Sequence, residues 1–309
     1  MSPGMTHGRF HRLDHLTLTQ FRMLDRDRTI AIMPFGMMEE HGPHLPIGTD
    51  NFAVESVALA AAAWLLDSDE KIHILLMPTI PFGTDPVDLR RQDLFENAGS
   101  IWISQETLKA IVKELAGHLV RYGFRYIFPL GFHGGAGQSV ALEEICAEMR
   151  SQHPGLRMYE PMGYVMAGAE IDSQPGLATL LGRPLTPKET VALKASVHAS
   201  MFETSMMLSL KPDLVHPMYK GLRTIEWEQL YKMPDWPGYV GAAPAHANAE
   251  VGAAVLHWRG VRAGVLIQRA VSGEDISTLP RHPKWRDDGV EEVAEAPRED
   301  ELPPTVTSE

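Results

Sequence analysis

The chain has 309 residues, 44% of them hydrophobic and 22% charged, enough to bury one sizeable core in an α/β domain. Its formal net charge of −12, with no clustered basic stripe, argues against nucleic acid as a partner, and no apolar run reaches the length of a membrane span. A single cysteine, Cys146, excludes an internal disulfide and any all-cysteine zinc site, so a metal here must be held by histidines and carboxylates. With no secretory segment among the first residues, the composition points to a soluble, cytoplasmic protein.

In chain order, the apolar, β-branched run Thr29-Ile-Ala-Ile-Met-Pro-Phe-Gly36 predicts a buried strand, and a polar loop follows it. Asn51 to Leu66 reads as a helix and Lys71 to Met77 as a second buried strand, stopped by Pro78. Gln105 to Tyr122 sets Leu108, Ile111, Leu115 and Leu119 at helical spacing. Arg125 to Leu130 resumes the strand pattern, and a helix runs from about Ser139 to Gln152. Further on, Ser196-Val-His-Ala-Ser-Met-Phe-Glu-Thr-Ser205 precedes an apolar run and reads as a helix start with Thr204 or Ser205 near the cap. Residues 273–309 are rich in proline and acid, and are expected to form an extended tail behind a domain spanning 1–272, with Trp285 as its one anchor.

Strands alternating with helices predict an α/β fold, a three-layer α/β/α sandwich with a mostly parallel central sheet. Ligands in such folds bind beyond the carboxyl ends of the strands, which directs attention to the loops after Gly36 and Leu130. The first holds Glu39, Glu40 and Asp50 with His41 and His44, and Gly42, Pro43, Pro46 and Gly48 forbid a regular helix across it. Glu39 and His41, two apart in an extended stretch, face the same side and suit one metal centre or two adjacent ones. The second loop sets His133 among Gly134, Gly135 and Gly137, which let backbone approach a ligand closely. The third segment adds His198 and Glu203. Carboxylates gathered in a shielded cleft repel one another unless a cation neutralises them, and mixed histidine and carboxylate donors suit zinc, manganese or iron.

At these residues the sequence resembles the creatininase family. Glu39-Glu-His-Gly-Pro-His-Leu-Pro-Ile-Gly-Thr-Asp50 follows the family's Glu-x-His-Gly-Pro-His-Leu-Pro-x-Gly-Thr-Asp signature throughout, and the likeness continues in His133-Gly-Gly135 and in His198 to Ser205. The resemblance implies that Glu39 and His133 hold one ion, that His41 holds the other, and that Asp50 bridges them. His198 then serves as the acid/base histidine, and the assembly is a homo-oligomer, often a hexamer. One departure stands out. True creatininases carry a glutamate ligand two residues after the second-loop histidine, where this chain has Gly135, so it is expected to be a member other than a true creatininase, with Glu203 completing the second site and needed for catalysis. The segment Pro81 to Arg91 also departs from relatives, with Arg90 and Arg91 as candidates to meet an anionic group. The implied activity is hydrolysis of a C–N bond in an amide, cyclic amide or formamide small molecule. The alternatives are a lactonase or short-peptide peptidase using the same metal site, and a binding homologue that has lost catalysis.

Overall fold

The computed structural model describes residues 8–85, 99–230 and 232–281. Thr29–Phe35 forms strand β2, following β1 (Phe10–Arg12) and the short helix α1 (Leu18–Arg22), and all seven of its residues are buried. A strand apolar on both faces belongs in a parallel sheet covered on both sides. That is its setting. With β3 (His73–Leu76), β4 (Tyr126–Gly131) and β5 (Arg157–Met158) it builds a five-stranded sheet of order β1-β3-β2-β4-β5, in which every pair is parallel.

Alternate side chains of β2 feed two separate cores. Ile30 and Ile32 pack with α2 (Thr49–Ser68), α5 (Met162–Leu181) and the long helix α9 (Ala249–Val271), whereas Ala31, Met33 and Phe35 pack with α3 (Gln105–Arg121) and α4 (Ala136–Gln152). The two faces together make the three-layer α/β/α sandwich expected from the alternation of elements. Between α5 and α9 the chain forms α6 (Pro187–Ala195), β6 (Ser196–His198), α7 (Met201–Leu210), α8 (Trp227–Leu230) and β7 (Val240–Gly241). Strands β6 and β7 pair antiparallel, over a small third core that includes Leu45, Ala199, Met207, Ile225 and Tyr239.

Several boundaries differ from the sequence reading. Helix α2 begins at Thr49, so Asp50 lies in its first turn rather than in the preceding loop. Helix α4 begins at Ala136, so Gly137 lies in its first turn rather than in the second loop. Helix α7 is capped at Ser200, not at Thr204 or Ser205. Those two hydroxyls are buried inside the helix, where they donate to the carbonyls of Ser200 and Met201, one turn back. Core packing also continues past Val271, because Ile276 is fully buried and Tyr159 donates to Asp275. Residues 282–309, with Trp285, and the candidate anion-binding pair Arg90 and Arg91 lie outside the described residues. Among the described residues no helix is long and apolar enough to cross a membrane.

Candidate metal centre

The chain leaves β2 toward β3 on one side and later returns to lay β4 on the other, so the order reverses at the β2–β4 pair. A crevice opens at the carboxyl ends of two such strands. The loop after β2 folds on itself: Glu39 N–H donates to Ile47 O at 3.1 Å and Thr49 N–H to Pro46 O at 3.1 Å, which delivers Asp50 to the first turn of α2. A carboxylate there also gains from the positive end of the helix dipole. His133 follows β4 directly, His198 ends β6, and Glu203 lies in the first turn of α7. All six residues singled out from the sequence meet at this crevice.

Their donor atoms form three interlocking groups: Glu39 with Asp50 and His133, His41 with Asp50 and Glu203, and Glu39 with His41 and His198. His133 Nδ1 lies 3.0 Å from Glu39 Oε2 and 3.2 Å from Asp50 Oδ2. His41 Nε2 lies 3.6 Å from Asp50 Oδ1 and 3.7 Å from Glu203 Oε2, and this buried nitrogen has no hydrogen-bond partner. His198 Nδ1 stands 3.8 Å from Glu39 Oε2. Two donors each about 2.1 Å from one tetrahedral ion are roughly 3.4 Å apart. The spacings around His41 are therefore too long for good hydrogen bonds and right for donors that share a cation, so the residues present fit divalent metal.

Orientation comes from the far side of each ring. His41 Nδ1 donates to Glu39 O at 2.9 Å, His133 Nε2 to Asp85 O at 2.7 Å and His198 Nε2 to Glu40 O at 2.7 Å. A carbonyl can only accept, so each outer nitrogen must carry the proton. The inner nitrogen of every ring then offers its lone pair to the cluster, the arrangement a metal site requires.

Charge sharpens the point. Burial alone would lower the pKa of His41, but Asp50 and Glu203 overcome it and push the value up to about 10. Burial likewise opposes protonation of His133, and Glu39 and Asp50 hold it well above the ordinary range. On the acids, burial works to raise Asp50 and Glu39, yet His41 and His133 respectively draw each below its usual value. Without another cation the cluster balances its carboxylates by protonating its histidines. A divalent ion replaces those protons.

Sequence reasoning left three neighbours without roles. Glu40 is buried; its carboxylate accepts from Trp236 Nε1 at 2.6 Å and from Gly42 N at 3.1 Å, and its Oε1 stands 3.3 Å from His198 Nε2. The Trp236 ring stacks on His198, with centroids 6.2 Å apart. Asp85 holds His133. Glu40 belonged to the count of loop carboxylates, but nothing in the order of residues distinguished it, and nothing pointed to Trp236 or Asp85. His44, the second histidine of the signature loop, points out of the cluster and bonds Thr204 Oγ1 through Nε2 at 2.9 Å.

The model of the creatininase family, described as creatinine amidohydrolase, matches residues 14–261. The chain belongs to the creatininase family. A curated relative, the mycofactocin precursor peptide peptidase of Mycobacterium tuberculosis, is 31% identical over 109 residues, a match covering 34% of this chain and 41% of that protein's length. Among solved structures, a Bacteroides fragilis protein provisionally assigned as a creatinine amidohydrolase superposes with a TM-score of 0.58 at 20% identity, covering 86% of this chain and 98% of that one. A manganese form of creatininase superposes with a TM-score of 0.59 at 18% identity, covering 84% and 97%. These structural likenesses establish the creatininase fold for the chain.

Proposed function

We propose that this creatininase-family protein is a metal-dependent hydrolase that cuts the C–N bond of an amide, cyclic amide or formamide. The observation that carries the reading is the sharing of Asp50 between two donor groups, Glu39 with His133 and His41 with Glu203. Two such groups joined by one carboxylate suit a pair of ions with Asp50 between them. The donor set suits manganese, zinc or iron, and creatininases of the same fold include a manganese form and a zinc form. A divalent ion in this place supplies Lewis acidity and brings a bound water toward ionisation near neutral pH.

The chain's own residues do the rest. Asp50 and Glu39 hold negative charge at the floor of the crevice, both almost wholly buried. His198, with Nε2–H committed to Glu40 O, keeps Nδ1 open toward the cluster to take a proton and return it to the leaving nitrogen. Trp236 stacks on the His198 ring, and its indole N–H pins Glu40. Glu203, whose side chain keeps 18% of its exposure, is the most open member of the cluster and faces incoming substrate.

A second reading keeps this site and makes the substrate a short peptide. The likeness to the mycofactocin precursor peptide peptidase supports it. Elemental analysis paired with a screen of manganese-, zinc- and iron-loaded protein against cyclic amides, formamides, lactones and short peptides tests both readings. About one to two equivalents of metal per chain are expected, with turnover of an amide-type substrate. Metal below roughly a tenth of an equivalent, with no activity restored by any of the three ions, defeats the reading. Turnover of peptides alone selects the second. The proposal also carries a homo-oligomeric assembly, a hexamer by family resemblance, which light scattering checks directly.

A further inference from the structure

Position 135, where the second loop has a glycine, is closed to any side chain. A Cβ built on Gly135 would overlap the main-chain carbonyl of Asp85 and the imidazole of His133. A Cβ on Gly137 would overlap the Asp85 carboxylate. The space from which a side chain at position 135 would reach is already filled by the backbone of a segment some fifty residues earlier in the chain.

That segment, Gly83 to Asp85, is tied at each residue. Ile103 N–H donates to Gly83 O at 2.9 Å, Thr84 N–H donates to the fully buried Gln138 Oε1 at 3.2 Å, and Gln105 Nε2 donates to Asp85 Oδ2 at 2.9 Å. Asp85 has a φ of 57°, the left-handed region that aspartate and asparagine tolerate and β-branched residues do not. In this conformation its carbonyl accepts from His133 Nε2, while His133 Nδ1 faces Glu39 and Asp50.

We propose that Asp85 is a positioning residue of the metal centre, whose left-handed backbone presents the carbonyl that orients His133. The inference rests on the metal-centre reading above. The Asp85 side chain acts through its own backbone: Gln105 anchors the carboxylate, and the anchored residue holds the carbonyl against the imidazole. The second donor group is thereby left with His41, Asp50 and Glu203 and nothing from position 135.

The test compares Asp85→Asn, which keeps both the left-handed preference and an acceptor for Gln105, with Asp85→Val, which keeps neither. Gln105→Ala, which removes the anchor without touching residue 85, serves as a second variant should Asp85→Val fail to fold. Affinity for Mn²⁺ is measured by competition with a chromophoric chelator, and the visible spectrum of the Co²⁺-substituted protein reports ligand geometry independently of turnover. Asp85→Val is expected to weaken Mn²⁺ binding by about 10- to 100-fold and to change the Co²⁺ bands, with Gln105→Ala intermediate and Asp85→Asn within about threefold of wild type. Equal loss in Asp85→Asn and Asp85→Val overturns the proposal, because the carboxylate charge and not the backbone conformation would then matter. Wild-type affinity and spectrum in folded Asp85→Val, or in Gln105→Ala if Asp85→Val does not fold, overturn it as well while leaving the metal-centre reading in place. A wild-type protein that binds no Mn²⁺ or Co²⁺ removes that reading, and this inference with it.

Discussion

The two loops that supply most of the site both take remote partners, but only the first also bonds extensively within itself. The loop from Gly36 to Asp50 has an internal framework, in which Glu39 bonds Ile47, Thr49 bonds Pro46, His41 bonds Glu39 and Gly42 bonds Glu40, and adds remote partners such as Ser100 and Trp236 on Glu40 and Thr204 on His44. The loop from Gly131 to Gly137 has partners from distant parts of the chain. Glu160 accepts from Gly131 N at 3.1 Å, Asp85 accepts from His133, and Gln138, just beyond the loop, is tied back to Thr84. A loop with an internal framework writes its chemistry in consecutive residues, whereas a loop bonded only to remote segments leaves glycines as its local trace.

The largest expected effect falls on the first loop. Asp50→Asn removes the buried carboxylate shared by two donor groups, and breaking such a buried charge arrangement costs on the order of 3–5 kcal/mol, so the protein should purify nearly metal-free. His198→Ala should retain metal and lose about 10²- to 10⁴-fold in kcat, since its role is proton transfer. Metal content and single-turnover rates separate the two, and the reverse ordering would exchange the roles of Asp50 and His198.

Glu203→Gln should act on one half of the site only. Its carboxylate stands opposite His41 and also accepts from Ala199 N–H, so a folded variant is expected to hold about one ion instead of two and to lose most activity. Two ions retained at wild-type affinity would show that Glu203 is not a ligand.

Glu160 tests how far the second loop depends on remote support. Its carboxylate, pushed up to about 7 by burial against the pull of three backbone donors, accepts from Gly131, Met162 and Gly163. Glu160→Ala strands these buried N–H groups and should cost about 3 kcal/mol, read as a lower melting temperature. Unchanged stability would mean that the second loop does not depend on Glu160.

The smallest effect concerns pH. Burial lowers His44 to about 4, helped by the charges of His41 and His198, so the folded state binds its proton more weakly than the unfolded chain, near 6.5. Unfolding then takes up a proton between these values. The stability His44 contributes is complete above about pH 6.5 and is lost as pH falls toward 4, about 2 kcal/mol of it between pH 7 and 5. Denaturant melts of wild type and His44→Gln across this window should differ in slope by that amount. Parallel curves would show that His44 is solvated in the folded protein.

The sequence by itself determined the layered α/β architecture and the six residues that converge at the crevice. Period-2 and period-3.6 patterns report burial directly, and a loop whose donors lie within a dozen residues brings them together by its own turns. Element edges were less legible, as at Asp50, because the first turn of a helix and the loop before it share the same polar residues. Only the tertiary structure decided which carbonyl holds each histidine, that Trp236 stacks on His198, and that Asp85 fills the space beside Gly135. Apart from His41 on Glu39, these contacts join residues distant in the chain, and those that hold the histidines are made through backbone atoms that every residue possesses. Such a carbonyl leaves no mark on the identity of the residue that carries it, so its role becomes visible only when the chain has folded.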